Sequence, residues 1–206
     1  MGLRGMPEAR IVIENLEVSE DMVLRPPSGF RRGFADLMNA YNTQRVGAAT
    51  VALGVAAGAF ELARNWTKTR EQFGRPIAEF QGVQWMLADM AIGLESARAM
   101  IHRAAKSTGP GGSPFPDPIA AAMAKVVASE TAIKVTNEAL QLFGARGYSR
   151  DLPLERMVRD ARMFTIGGGT AQILRTLVAA DVLQMKLPQT RDGYVRAGQS
   201  LTRETD

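Results

Sequence analysis

The 206-residue sequence has no cysteine and a single histidine, His102. The first absence excludes a disulfide scaffold, a thiolate metal centre and a cysteine nucleophile. The second excludes a multi-histidine metal site and leaves His102 as the sole imidazole for acid–base work. Aromatic residues are scarce at 6%, and the charges nearly balance, 25 Lys and Arg against 21 Asp and Glu, for a net charge of +4. The basic residues are spread along the chain, unlike the dense clusters of a nucleic-acid binder. Most are arginine, which suits phosphates and carboxylates, so a phosphate-bearing small ligand stays open. Apolar runs fall short of a membrane span: the longest, Val46 to Leu62, carries three glycines. The opening residues Met1-Gly2-Leu3-Arg4-Gly5 lack the apolar stretch of a signal peptide. A cytoplasmic protein is expected, with neither nucleic acid nor membrane as partner.

What is there is mostly helical pattern. Residues 7–24 are the exception. Ala9, Ile11 and Ile13 alternate with polar or smaller neighbours, then Leu16 and Val18 follow in shifted phase, predicting two short β-strands. Pro26-Pro27-Ser28-Gly29 marks a turn. A first long helix is predicted over about 40–70, with Gly47, Gly54 and Gly58 spaced for close helix–helix approach, ended by Gly74 and Pro76. A second is predicted over about 79–107, with Phe80, Val83, Leu87, Met90, Leu94 and Ile101 as its apolar stripe. After a Gly/Pro loop, Gly109 to Pro118, a third is predicted over about 118–143 with Ala122, Val126, Ile133, Leu140 and Phe143 on its stripe, stopped by Gly144 and Gly147. Pro153 suits the first turn of a short helix to about Phe164, and Thr170 is a candidate N-cap for a last helix to about Met185. His102 falls in a polar phase and reads as a surface residue; Trp66 and Trp85 read as packing residues. The fold class is mainly α: an up-down, four-helix-type bundle with two short N-terminal strands.

Three stretches could carry chemistry. Gly167-Gly168-Gly169-Thr170 at a helix start would let a ligand approach backbone N–H groups, or is a plain interhelical turn. Arg70-Glu71-Gln72-Phe73-Gly74 joins a cation, an amide and an aromatic ring, which suits a phosphate with a base stacked nearby, or is a helix C-cap. Gln141 to Tyr148 places a glutamine one turn before a glycine-rich helix end, where it faces a ligand or merely caps.

Taken in order, these stretches resemble the C-terminal half of an acyl-CoA dehydrogenase. The resemblance rests on Arg45, Arg70-Glu71-Gln72-Phe73-Gly74, Phe80-Gln81, Asp89-Met90, Gln141-Leu142-Phe143-Gly144-Ala145-Arg146-Gly147-Tyr148, Arg159-Asp160 and Gly168-Gly169-Thr170, and spans roughly residues 2 to 184. Ala145 stands where the family usually has glycine. The resemblance implies that residues 1–25 are the last strands of a middle β domain, 26–187 the C-terminal helical bundle and 188–206 a polar tail. It implies FAD as cofactor, an acyl-CoA substrate and a homo-oligomer, dimer or tetramer, with a separate chain as one source of the N-terminal half. Arg70, Gln72 and Phe73, with Gln141, Gly144 and Ala145, would hold the FAD pyrophosphate and adenosine of a neighbouring subunit. Thr170 and Gln172 would reach the FAD of their own subunit, and Gln81 would also contact flavin. Asn42, Arg45 and Gly169 would line the acyl-CoA channel.

The family reaction removes an α proton with a glutamate and a β hydride with flavin. That glutamate stands just before Gly-Thr in most members, where this sequence has Gly168. In others it precedes the arginine of the first long helix, where this sequence has Gln44. Neither residue is a base near neutral pH. The leading expectation is a flavin-dependent acyl-CoA dehydrogenase-like protein performing α,β-dehydrogenation. The alternatives are a desulfinase-like, non-oxidative member acting on a sulfinated acyl-CoA, and a non-catalytic oligomerisation fragment.

Overall fold

The computed structural model describes residues 1–6, 8–26, 28–108 and 113–188. Six α-helices dominate these residues: α1 (Gly33–Thr69), α2 (Gln81–Ala105), α3 (Pro118–Phe143), α4 (Ala145–Tyr148), α5 (Leu154–Met163) and α6 (Ala171–Leu183). Between α1 and α2 lies a two-stranded antiparallel hairpin, β1 (Glu71–Gln72) and β2 (Arg75–Pro76). The helix ends follow local chemistry. Asp117 caps α3 by accepting from the Ala120 N–H at 2.7 Å, with Pro118 in the first turn. Thr170 caps α6 by accepting from the Ile173 N–H at 3.2 Å, as the sequence predicted. α1 begins a full two turns before the predicted residue 40. Phe34 and Leu37 in those turns are exposed, so no buried stripe announces them.

α3 is the hub. It packs on α1, α2, α5 and α6, and its buried arc is far wider than the predicted stripe: Ala121, Ala124, Ala128, Ala132, Val135 and Ala139 are enclosed with Ala122 and Val126, whereas Ile133, Leu140 and Phe143 are only half-buried. The facing side of α1 is also alanine, at positions 49, 52, 56, 59 and 63. Methyl-sized side chains on both helices let the axes approach closely. The predicted role of the glycines is corrected here. Gly47 and Gly54 face open space, and Gly58 meets only the end of Met157, so alanine and not glycine makes the close approach. By length and composition α1 is apolar enough to cross a membrane, which the count of unbroken apolar residues missed; in this fold its alanine face is buried in the core.

The two predicted N-terminal strands do not form. Residues 8–18 have no ladder partner, a short 3₁₀ turn follows at Glu20–Met22, and Ile11, Val12, Ile13, Leu16 and Val18 are exposed. A strand needs a neighbour for its backbone N–H and C=O groups, and no sheet edge reaches this segment among the described residues. The β structure lies at 71–76 instead. The opening residues are nevertheless anchored: the Leu3 N–H donates to Asp160 at 2.6 Å, and a Cβ on Gly2 would stand 2.5 Å from the Arg159 backbone. His102 is exposed as predicted, but so is Trp85, at 64% of its surface; only Trp66 packs. The predicted polar tail beyond residue 188, and residues 109–112 of the Gly/Pro loop, lie outside the described residues.

Candidate functional site

The glycine run before α6 turns sharply. Gly168 has φ +75° and Gly169 φ +93°, the left-handed region that side chains disfavour, which is why glycine stands there. Two buried cations grip this turn from within. The Arg45 Nε donates to the Gly168 carbonyl at 3.4 Å, and its Nη1 donates to Asn42 Oδ1 at 2.7 Å. The Lys125 Nζ donates to the Gly169 carbonyl at 2.6 Å. Lys125 is fully buried in the first third of α3, and no ion pair joins either cation to an acid among the described residues. Burial, with Arg45 adding repulsion, pushes the Lys125 ammonium down to about 8. Burial lowers Arg45 as well. Lys125 escaped the reading of the sequence, although a lone lysine flanked by alanine and valine in a buried helix is a signal for it.

A cavity of about 990 Å³ adjoins this turn. Gln44 from α1 and Gly168 both line it, with Leu37, Tyr41, Val51 and Phe164 giving apolar walls. The two positions at which a base was expected therefore share one space, and neither supplies a carboxylate. Among the described residues Glu8 is the one acid in the lining; it is exposed, in a segment that the sequence pattern predicts as strand.

The Arg70–Gly74 stretch is a hairpin rather than a mere helix end. Gln72 pairs with Arg75 across a two-residue turn made by Phe73 (φ +54°) and Gly74 (φ +75°). The hairpin carries Arg70 and Gln72 to a second cavity of about 250 Å³, where Gln141, Gly144 and Ala145 join them. Its apolar wall is Trp66 stacked on Phe143, ring centroids 4.7 Å apart and planes 11° from parallel. The Trp66 Nε1 donates to the Leu142 carbonyl at 3.1 Å, and Arg146 lies over the indole at 5.5 Å. Two guanidinium groups, two amides and a flat aromatic wall suit a ligand that joins phosphate to an aromatic ring. Arg146 had not been singled out, although it sits inside the Gln141–Tyr148 stretch.

Other predicted residues are not gathered there. Phe73 stands at the hairpin tip, 91% exposed, edge-on to Phe80. Gln81 opens α2 and Gln172 lies in the first turn of α6, both exposed and outside the second cavity. Asp89 pairs with Lys134 at 3.5 Å and so ties α2 to α3, whereas Arg159 pairs with Glu155 at 2.8 Å one turn away within α5.

Comparison with known proteins adds to this geometry. The family model described as acyl-CoA dehydrogenase, C-terminal domain, matches residues 31–183. A 3-sulfinopropanoyl-CoA desulfinase from Paraburkholderia xenovorans (strain LB400) is 66% identical over 191 residues, covering 93% of this chain and 48% of that protein. A cyclohex-1-ene-1-carbonyl-CoA dehydrogenase from Syntrophus aciditrophicus (strain SB) is 40% identical over 183 residues, covering 89% of this chain and 43% of that protein. The solved structure of butyryl-CoA dehydrogenase from Megasphaera elsdenii superposes with a TM-score of 0.69 at 38% identity, over 74% of this chain and 39% of that one. The chain spans about half the length of the curated relatives it matches.

Proposed function

The chain belongs to the acyl-CoA dehydrogenase family, and we propose that within it this chain forms part of a non-oxidative enzyme that removes sulfite from a sulfinated acyl-CoA. The observation that carries the reading is the cavity lined by both Gln44 and Gly168, with no carboxylate at either base position. Dehydrogenation of a saturated acyl-CoA needs a base for the α proton. Desulfination does not. The C–S bond to the β carbon breaks, a proton takes its place on carbon, water supplies oxygen to sulfur, and sulfite leaves with no net electrons withdrawn from the substrate. A sulfinate is an anion, so a glutamate at position 44 or 168 would repel it, whereas the neutral amide of Gln44 can donate to it. The likeness to the Paraburkholderia desulfinase supports the same reading.

The family's members are FAD flavoproteins, and the donor set of the smaller cavity fits that cofactor. When bound, FAD would supply an electron-accepting ring. Arg70 would bind its pyrophosphate by charge-assisted hydrogen bonds, with Gln72 and Gln141 as neutral partners and the Trp66–Phe143 wall against the adenine. The carbonyl-down glycine turn would hold the substrate end of the cavity. A homo-oligomer is proposed as well. The apolar groove between α3 and α6, lined by Met123, Val127, Val178 and Val182, is uncovered in one chain, and Val182 is largely exposed.

The test is a pair of assays on the flavin-loaded protein: sulfite release from 3-sulfinopropanoyl-CoA, and acceptor-coupled oxidation of a saturated acyl-CoA. Sulfite release with little oxidation is expected. Robust oxidation without sulfite release would restore the dehydrogenase reading and direct attention to Glu8.

A further inference from the structure

We propose that Lys125 is a positioning residue that holds the Gly168–Thr170 turn in its working shape, resting on the reading that this turn faces the acyl group. The turn has little to hold it otherwise. Its two left-handed residues are glycines, which adopt many backbone conformations at small cost, so something outside the turn must select one. The selection comes from two successive carbonyl oxygens. Arg45 takes that of Gly168 and Lys125 that of Gly169, the latter at 2.6 Å.

A trans peptide points its C=O and N–H in opposite directions. Drawing both carbonyls toward the buried cations therefore directs the N–H groups of Gly169 and Thr170 the other way. Those donors have no backbone partner among the described residues, whereas the next amide, Ala171, closes the loop onto the Thr165 carbonyl at 3.0 Å.

Lys125 is suited to the task by its surroundings. Ala121, Ala122, Ala124, Ala128 and Ser129 leave room along α3 for a long side chain. A Cβ added at Gly168 would come within 3.8 Å of its Cε, so the stem runs close beside the turn. A buried ammonium with no acid beside it is a poor choice for stability alone. An apolar side chain of similar volume would avoid its desolvation. Its position is explained by what its charge holds.

The experiment compares Lys125→Met, Lys125→Gln and Lys125→Arg in the full chain by thermal unfolding and by amide hydrogen exchange. Lys125→Met removes the donor and keeps the volume. The expected result is a melting temperature at or above that of the unaltered chain, with exchange at Ala171 and Ile173 about tenfold faster or more, and α3 amides such as Ala128 unchanged. Lys125→Arg, which keeps a donor that can reach the carbonyl, restores slow exchange; Lys125→Gln, too short to reach, does not. In the flavin-loaded protein Lys125→Met lowers kcat for sulfite release with KM little changed. Unaltered exchange at Ala171 in Lys125→Met or Lys125→Gln would overturn the proposal, and so would global unfolding of both. If the unaltered protein releases no sulfite, the functional reading fails, while the exchange data still decide what Lys125 does.

Discussion

Gln44 of α1 and Gly168 of the turn before α6 face the same cavity although most of the chain separates them. Each stands where a relative would carry its glutamate, so the two are alternative places to restore a base. They are not equivalent. Gln44 lies in regular helix and is exposed, and glutamate has nearly the helix propensity of glutamine. Gly168→Glu would force a side chain into φ +75°, at a cost of about 1–2 kcal/mol. Gln44→Glu is expected to raise acceptor-coupled oxidation of a saturated acyl-CoA, by up to the 10²–10⁴-fold typical of general bases, roughly. Gly168→Glu should lower the melting temperature and gain less. Turnover with an electron acceptor, measured beside a thermal melt, checks both.

The hairpin cation tests the cofactor site. Arg70→Ala should weaken FAD binding about ten- to hundredfold, the value of one charge-assisted contact. Adenosine, which keeps the ring that would meet the Trp66–Phe143 wall but lacks phosphate, should bind the variant and the unaltered protein alike. Fluorescence titration with both ligands separates a phosphate contact from a general disturbance of the Trp66–Phe143 wall.

The alanine face of α1 makes a prediction of opposite sign at neighbouring positions. Gly54 has nothing within 4 Å of an added Cβ, and Ala56 is fully buried. Gly54→Ala should stabilise the chain by about 0.5–1 kcal/mol through helix propensity. Ala56→Leu should destabilise it by about 1–3 kcal/mol or more, because the α1–α3 contact has no room for three further carbons. Urea unfolding of the two variants is the measurement.

Lys125 also makes stability depend on pH. Its folded value of about 8 lies below the ordinary 10.5. Between these values the unfolded chain binds more protons than the folded one, so the unfolding free energy rises with pH across that window. The contribution unfavourable to folding is present below about pH 8 and disappears as pH approaches 10.5. Lys125→Met should lack this rise. Denaturant midpoints at pH 7.5 and pH 9.5 for both proteins check it, and an equal rise in the two would assign the effect to other groups.

The local features of this protein are legible in short stretches of residues. Asp117-Pro118 and Thr170 start helices because a side-chain oxygen and a free N–H a few residues on meet within one turn. Gly144 ends α3 because it takes a backbone angle of φ +60° at that point. The glycine, arginine and glutamine motifs were legible for the same reason, since their spacing is short and their residue types are demanding. Tertiary structure decided the rest. Whether Ile11, Ile13 and Val18 form strands depends on a sheet edge that residues 8–18 do not meet. Whether alanine or glycine makes the α1–α3 contact depends on the rotation of one helix against the other. And the buried lysine of α3 acquires its meaning only when folding brings the Gly169 carbonyl, 44 residues later in the chain, to 2.6 Å from its ammonium group. Local periodicity carries no record of that distance; a burial cost that only a long-range partner can offset fixes it.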